Sequence, residues 1–377
     1  MKNVRFVGLD VHAETIAVAV AEAAGEVRSL GMIPNRAESI GRLVRKLGKP
    51  EQLRVCYEAG PTGYVLYWQL SELGVKCEVV APTLVPVKSG DRVKTDRRDA
   101  EKLARSYRAG DLTPVWVPDA GQEALRDLVR ARWAAKRDQL RARHRLSKFL
   151  LRQGRRAPEG ITAWTERYLQ WVKTQVSFAH QAQELTLSDY LHEVEHAAAR
   201  VARLERSIDA AIETLPLKMR AVIDALQSLR GVAQINAVSI VAEVGELSRF
   251  EHPRQLMGYS GAVCREHSSG PRIHRGPISK AGNAHLRRIV VEAAWAYRHR
   301  PAIGKTLAAR QQRSSAEVIE LAWKAQERLH RRYARLMARG KNKQQTITAV
   351  GRELLGFIWA IGVQVEQELS APVHRAA

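Results

Sequence analysis

The order of apolar runs in the first third of the chain is its tightest constraint. Three strand-length runs, residues 4–10, 15–22 and 26–33, follow one another with room only for short turns, AEAAGE forming one of them. Asn35 then precedes AESIGRLVRKLG, where Ile40, Leu43, Val44 and Leu47 recur at helical spacing. A strand at 53–57, a helix at 64–73, a strand at 75–81 and a helix at 98–108 complete the series. The series therefore predicts a mixed sheet with helices on its faces, an α/β unit.

After the proline-containing segment LTPVWVPDA the pattern becomes helical. Residues 120–152 predict one long helix with Leu125, Leu128, Val129, Trp133, Leu140, Leu146 and Leu150 as its apolar stripe; Gly154 and Pro158 end it. A second stretch, 187–214, carries Leu191, Val194, Ala198, Val201, Leu204, Ile208 and Ile212 close to heptad spacing. Heptads this short fit two readings equally, a helical hairpin that holds two ends apart and an antiparallel or intersubunit coiled coil for dimerisation. From Leu229 onward, LRGVAQINAVSIVAEVGELSRF predicts two helices about a turn at Gly231. A loop leads through Gly282 and Asn283 into another helix, and helices over 316–339 and 345–366 follow. Three regions are expected: 1–116, 117–228 and 229–377, the last two all-α.

The 377 residues carry a formal net charge of +22 and a pI of about 10.3, the footprint of a polyanionic partner. Lys and Arg far outnumber acids in 119–156 and again in 265–313. Aromatics make up only 6%, which argues against an aromatic platform for stacked bases. No apolar run approaches the ~18–20 residues of a bilayer span, and MKNVRFVGLD lacks a signal-peptide pattern. A cytoplasmic protein with no membrane partner is expected. Cys56, Cys77 and Cys264 have no metal-type spacing; the first two fall in predicted strands as small buried hydrophobes.

Four carboxylates stand out against this basic background. Asp10 ends the run VRFVGLD, Glu58 ends LRVCYE, and Asp96 and Asp99 sit three residues apart where a helix begins in KTDRRDAEKLA. Each alone has an ordinary explanation; first-turn acids, for instance, suit the helix dipole. Together they can gather oxygens at one edge of the sheet. Crowded carboxylates need a cation to stay ionised, and divalent metal meets that need while serving phosphodiester chemistry. Lys94, Arg97 and Arg98 beside the pair either hold phosphates or screen the acids.

A second constellation is His267-Ser268-Ser269-Gly270 followed by ISKAGNAHLRR. Ser–Gly pairs fill ordinary turns. Here the pair lies in a Gly- and Pro-rich loop, basic on both sides, ahead of a helix N-terminus able to bind an anion. A serine hydroxyl needs a base, a metal or preorganised positive charge to act as a nucleophile. Arg265, Arg272, Arg275, Lys280, Arg287 and Arg288 offer the charge, and His267 or His274 the base. A loop whose serines only donate hydrogen bonds to phosphate fits the same residues.

Beyond these features, the chain resembles the DEDD transposases of bacterial insertion sequences, a family of recombinases guided by a structured bridge RNA. The resemblance runs through GLDVHAETIAVAV, YEAGPTGY, APTLVPVKSGDRVKTDRRDAEKLAR, the block from LRGVAQINA to SKAGNAHLRR, and RGKNKQQTITAVGRELLGFIWAI. It implies an RNase H-like (RuvC-type) N-terminal domain, a coiled-coil connection and a helical C-terminal transposase domain. It implies that Asp10, Glu58, Asp96 and Asp99 bind Mg2+, with Mn2+ as substitute. It implies further that Ser269 forms a phosphoserine link to DNA. The partners it implies are donor and target DNA, a guide RNA and further copies of the chain, a homodimer that becomes a tetramer in synapsis. Acids of one subunit would then serve the serine of another.

Two positions depart from the family pattern. Its glycine-x-glycine turn reads Gly231-Val232-Ala233, which weakens the case for backbone phosphate binding there, and its leucine-x-proline run reads Ala262-Val263-Cys264. The rival readings are a metal-only nuclease of junction-resolvase type, with no use for Ser269, and a nucleic-acid-binding scaffold that never cleaves.

Overall fold

The alternation in TIAVAVAE builds the first layer. A computed structural model describes residues 4–86, 90 and 95–370 and divides the chain into two compact units, Met1–Pro118 and Asp119–Ala377. In the first unit, strands β1 (Arg5–Val11), β2 (Thr15–Glu22), β3 (Val27–Pro34), β4 (Leu53–Glu58) and β5 (Lys76–Val80) form one sheet in the order β3-β2-β1-β4-β5. The first three strands pair antiparallel; β1–β4 and β4–β5 pair parallel. The mixed sheet expected from the element order is thus present.

The two faces of this sheet bury different side chains. Val7, Leu9, Ile16, Val18, Val20, Val55 and Tyr57 pack against α1 (Ala37–Leu47) and α2 (Val65–Glu72). Ala17, Ala19 and Ala21 on the opposite face meet Ala100 and Ala104 of α3 (Asp96–Ala109). Small residues on both sides let α3 lie close to the sheet. Closest of all is Gly8, where an added Cβ would stand 2.3 Å from the Ala100 carbonyl oxygen and 2.4 Å from the Ala104 nitrogen. Cys56 and Cys77 are buried as expected, and burial, then Glu78, pushes the Cys77 thiol up to about 12.

The second unit begins with the expected long helix, α4 (Ala120–Arg152), started by the Asp119 side chain accepting from Gln122 N at 2.7 Å. It pairs with α6 (Gln181–Thr214) in an antiparallel hairpin. Leu146, Phe149 and Leu150 meet Leu187 and Val194 at one end, around a helix absent from the sequence reading, α5 (Glu166–Gln175). Leu125 and Val129 meet Ile208 and Ile212 at the other end. Arg200–Asp138 at 2.9 Å and Arg132–Glu205 at 3.0 Å bridge the pair. These contacts make the two helices an antiparallel hairpin within one chain.

The remaining helices are α7 (Leu217–Leu226), α8 (Gln234–Val244), α9 (Pro253–Tyr259), α10 (Ala284–Ala294), α11 (Lys305–Gln311), α12 (Ala316–Ala338) and α13 (Lys343–Glu368). Gly231 makes the expected turn before α8 with φ +83°. By length and composition α13 can cross a membrane, its most apolar 18-residue window averaging a hydropathy of 1.4. This departs from the expectation that no apolar run reaches that length. The physical reason is its place in the bundle: Ile347, Val350, Leu354, Leu355, Ile358 and Ile361 are buried among the other helices.

Candidate active site

The close approach at Gly8 brings two of the four carboxylates together, Asp10 and Asp96. Asp10 lies two residues further along β1, on the same side of the strand as Gly8. Asp96 lies one helical turn before Ala100 on α3. The N-terminus of α3 therefore comes over the end of β1 and brings Asp96 to Asp10. The Thr95 hydroxyl accepts from Arg98 N at 3.3 Å and caps that helix end, whose exposed amides favour the acids of the first turn.

Between the two aspartates sits a residue the sequence reading passed over, His12. Its Nε2 is 3.5 Å from Asp10 Oδ2 and 3.5 Å from Asp96 Oδ1. All three ligand atoms lie within 4.8 Å of one another, and no other such group of metal-type donors occurs among the described residues. His12 is the first residue beyond β1, so a histidine two places after a strand-end aspartate was the available signal. Its neighbourhood with Asp96 depends on how α3 packs, which no spacing in the sequence displays.

Glu58 ends β4 one residue beyond the Leu9–Tyr57 pair, so it projects from the same sheet edge as Asp10 and is exposed. Asp99 follows Asp96 by three residues in the first turn of α3, half-buried, its backbone N–H bonded to the Thr95 carbonyl at 2.9 Å. Arg97 is exposed and pairs with Glu101 at 2.9 Å. Lys94 lies outside the described residues. The donor set, carboxylate oxygens plus one imidazole at a solvent-facing sheet edge, suits a divalent cation.

In the second unit the serine loop is an exposed β-hairpin, β6 (Cys264–Glu266) with β7 (Arg275–Ile278). Ser269 and Arg272 exchange backbone hydrogen bonds of 3.2 and 3.3 Å, leaving Gly270 and Pro271 as a two-residue tip. Gly270 has φ +56°, the conformation a glycine supplies at the first position of such tight hairpin turns.

The two serines differ in their bonds. The Ser268 hydroxyl donates to Glu266 Oε1 at 2.8 Å and accepts from His274 N at 3.3 Å. This bond, more than the nearby Arg275 guanidinium, holds the Glu266 carboxyl below its usual range. The Ser269 hydroxyl is exposed at the tip and takes no hydrogen bond among the described residues.

The base of the hairpin is clamped by backbone. An added Cβ at Gly261 (φ +66°) would stand 2.5 Å from the Ala281 oxygen, and one at Gly282 (φ +125°) 2.3 Å from the Tyr259 oxygen. Asn283 accepts from Leu286 N at 3.0 Å, capping α10, and donates to buried Glu243 at 2.7 Å. Glu243 also receives two 2.8 Å bonds from Arg130 of α4. Burial alone would raise the Glu243 carboxyl, but the Arg130 and Asn283 bonds outweigh it and hold it below its ordinary value.

The basic residues around the hairpin divide by role. Arg265, Arg272, Arg275 and Lys280 are exposed along it. Arg287 Nη1 donates to the Ser260 carbonyl at 2.7 Å, and Arg288 lies over the Trp133 ring at 4.7 Å while pairing with Glu292. These last two thus have packing duties that their spacing did not reveal.

Comparisons with known proteins match two stretches of the chain. Residues 7–153 match a family profile described as a DEDD transposase, and residues 223–308 match the profile of the transposase IS116/IS110/IS902 family. The chain is 46% identical over 369 residues to transposase y4qE of Sinorhizobium fredii, covering 97% of this chain and 90% of that one. It is 32% identical over 345 residues to the transposase for insertion sequence element IS1533 of Leptospira borgpetersenii, covering 90% and 99% respectively.

Proposed function

The chain belongs to the IS116/IS110/IS902 family of insertion-sequence transposases, enzymes that cleave and transfer DNA, and on that premise we propose that it cuts and rejoins DNA strands through a phosphoserine intermediate at Ser269. The observation that carries this reading is the contrast at the hairpin tip. Ser268 is bonded to Glu266, whereas Ser269 stands exposed with its hydroxyl uncommitted among the described residues. A metal-only nuclease has no use for such a residue.

In the proposed step the Ser269 oxygen attacks a DNA phosphorus. One serine O–P bond forms, one phosphodiester P–O bond breaks, the serine proton passes to a base, and the leaving DNA hydroxyl takes up a proton. His267 and His274, joined across the hairpin by a 2.9 Å backbone bond, are both candidates for the base. The linkage keeps the energy of the phosphodiester, so rejoining to a second strand needs no ATP. Arg265, Arg272, Arg275 and Lys280 hold the phosphate backbone in this reading.

The sheet order β3-β2-β1-β4-β5, antiparallel then parallel, supports an RNase H-like (RuvC-type) first unit. We assign Asp10, Glu58, Asp96 and Asp99 to binding Mg2+, or Mn2+ in its place. Such an ion neutralises phosphate charge and activates an attacking or leaving oxygen. The basic stretches leave surface for a structured guide RNA beside donor and target DNA, and the α4–α6 hairpin offers a site for pairing of copies. Acting on DNA, the protein works in the cytoplasm, at the genome.

The test is a suicide DNA substrate that traps the covalent intermediate. Wild-type protein should remain attached to one DNA end through Ser269; Ser269→Ala should give no adduct, and Ser268→Ala should keep some. An adduct mapped to Ser268, or none with intact protein and guide RNA, refutes the assignment.

A further inference from the structure

Resting on the metal-site reading above, we propose that His12 is itself a ligand of the divalent cation, adding a nitrogen donor to the carboxylates. Three features carry this. First, Nε2 lies equidistant from the two aspartates, 3.5 Å from an oxygen of each. Adjacent donors on a cation with bonds of ~2.1 Å are about 3 Å apart, so a contraction of about 0.5 Å closes each His12–aspartate gap. Second, the backbone carrying the imidazole is pinned on both sides. His12 N donates to the Thr15 carbonyl at 2.9 Å, and its own carbonyl accepts from Asn35 Nδ2 at 2.8 Å. Third, the ring is half-exposed, with 51% of its side-chain surface accessible, which leaves open positions on the solvent side for water or phosphate oxygen.

The competing role for His12 is charge compensation. A protonated imidazole between two carboxylates would occupy the cation's own position and compete with it. The two roles predict opposite signs: removing a ligand weakens cation binding, whereas removing a competitor leaves it unchanged or strengthens it. A nitrogen donor also shifts preference from Mg2+ toward Mn2+, because imidazole suits transition metals better than it suits the harder ion.

Mn2+ alone, titrated into the full chain and followed by electron paramagnetic resonance, decides between them. In the wild type, pulsed spectra should show coupling of bound Mn2+ to a directly bonded nitrogen. His12→Ala should lose that coupling and bind Mn2+ about tenfold or more weakly, the scale of losing a group that supports a metal site. His12→Gln, which offers an amide oxygen of similar reach, should recover part of the affinity without the nitrogen signal. Asp10→Asn should lose binding more fully. Bound Mn2+ with no nitrogen coupling, or unchanged or tighter binding by His12→Ala, overturns the role of His12 and leaves the carboxylate site standing. A wild type that binds no Mn2+ overturns both.

Discussion

Gly8→Ala adds one methyl group at the point where β1 touches α3. The new Cβ would stand 2.3 Å from the Ala100 oxygen, 2.4 Å from the Ala104 nitrogen and 2.9 Å from the Leu103 Cβ. Two of these are backbone atoms of a helix and cannot swing aside. Reaching an ordinary contact of 3.4 Å requires α3 to recede by about 1 Å. Overpacking of this kind costs about 1–3 kcal/mol of stability. Because α3 carries Asp96 and Asp99, the same shift pulls them from Asp10, and a displacement of ~1 Å in a catalytic group costs roughly 10²-fold in rate. Thermal unfolding by circular dichroism and cleavage of a suicide duplex in Mg2+ read the two effects. Gly41→Ala is the control: it lies in α1, its nearest contact is the mobile end of Arg45 at 3.6 Å, and alanine suits a helix better. A Gly8→Ala protein that melts and cleaves like the wild type would show that α3 does not register the acids through this contact.

Two further outcomes follow from charges described above. Glu243 has its carboxyl held below the ordinary value of 4.5, so its contribution to stability is present above that pH and lost as pH falls through the folded value. Glu243→Gln should cost about 3 kcal/mol near neutral pH and flatten the acid limb of urea midpoints measured against pH; parallel curves for the two proteins would argue that Arg130 and Asn283 do not hold it. The basic stretches 119–156 and 265–313 predict that DNA affinity falls by roughly 10³–10⁵ between 50 and 200 mM salt if six to ten phosphates are neutralised. Filter binding that is flat across this range would place those charges in solvent.

The sequence displayed what depends on local period and capping. The alternation through Ile16–Ala21 and the span of α4, from its Asp119 cap to the break at Gly154, could be read directly. Helix α5 was missed because only Tyr168, Trp171 and Val172 are buried along it, too few to show a period. The serine hairpin was missed because β6 is wholly exposed and so carries no alternation of burial. The acids were legible as strand-end and helix-start residues. Which of them meet was not, because the meeting is made by tertiary packing at Gly8, and the same packing brings in His12. The difference between Ser268 and Ser269 lies in a bond to Glu266, two residues away, that two adjacent identical residues cannot announce.

The burial of α13 has a consequence for synthesis. The sheet and α3 are complete once the ribosome has released residue 109, so the carboxylate edge can assemble on the nascent chain. The core beneath the serine hairpin cannot: Ile347, Val350, Leu354, Leu355 and Ile358 are made long after the hairpin itself, and α7, α9, α10 and α12 have no complete packing without them. A premature stop before residue 343 would therefore yield a chain with its acids in place and its serine hairpin on an unsupported ribbon.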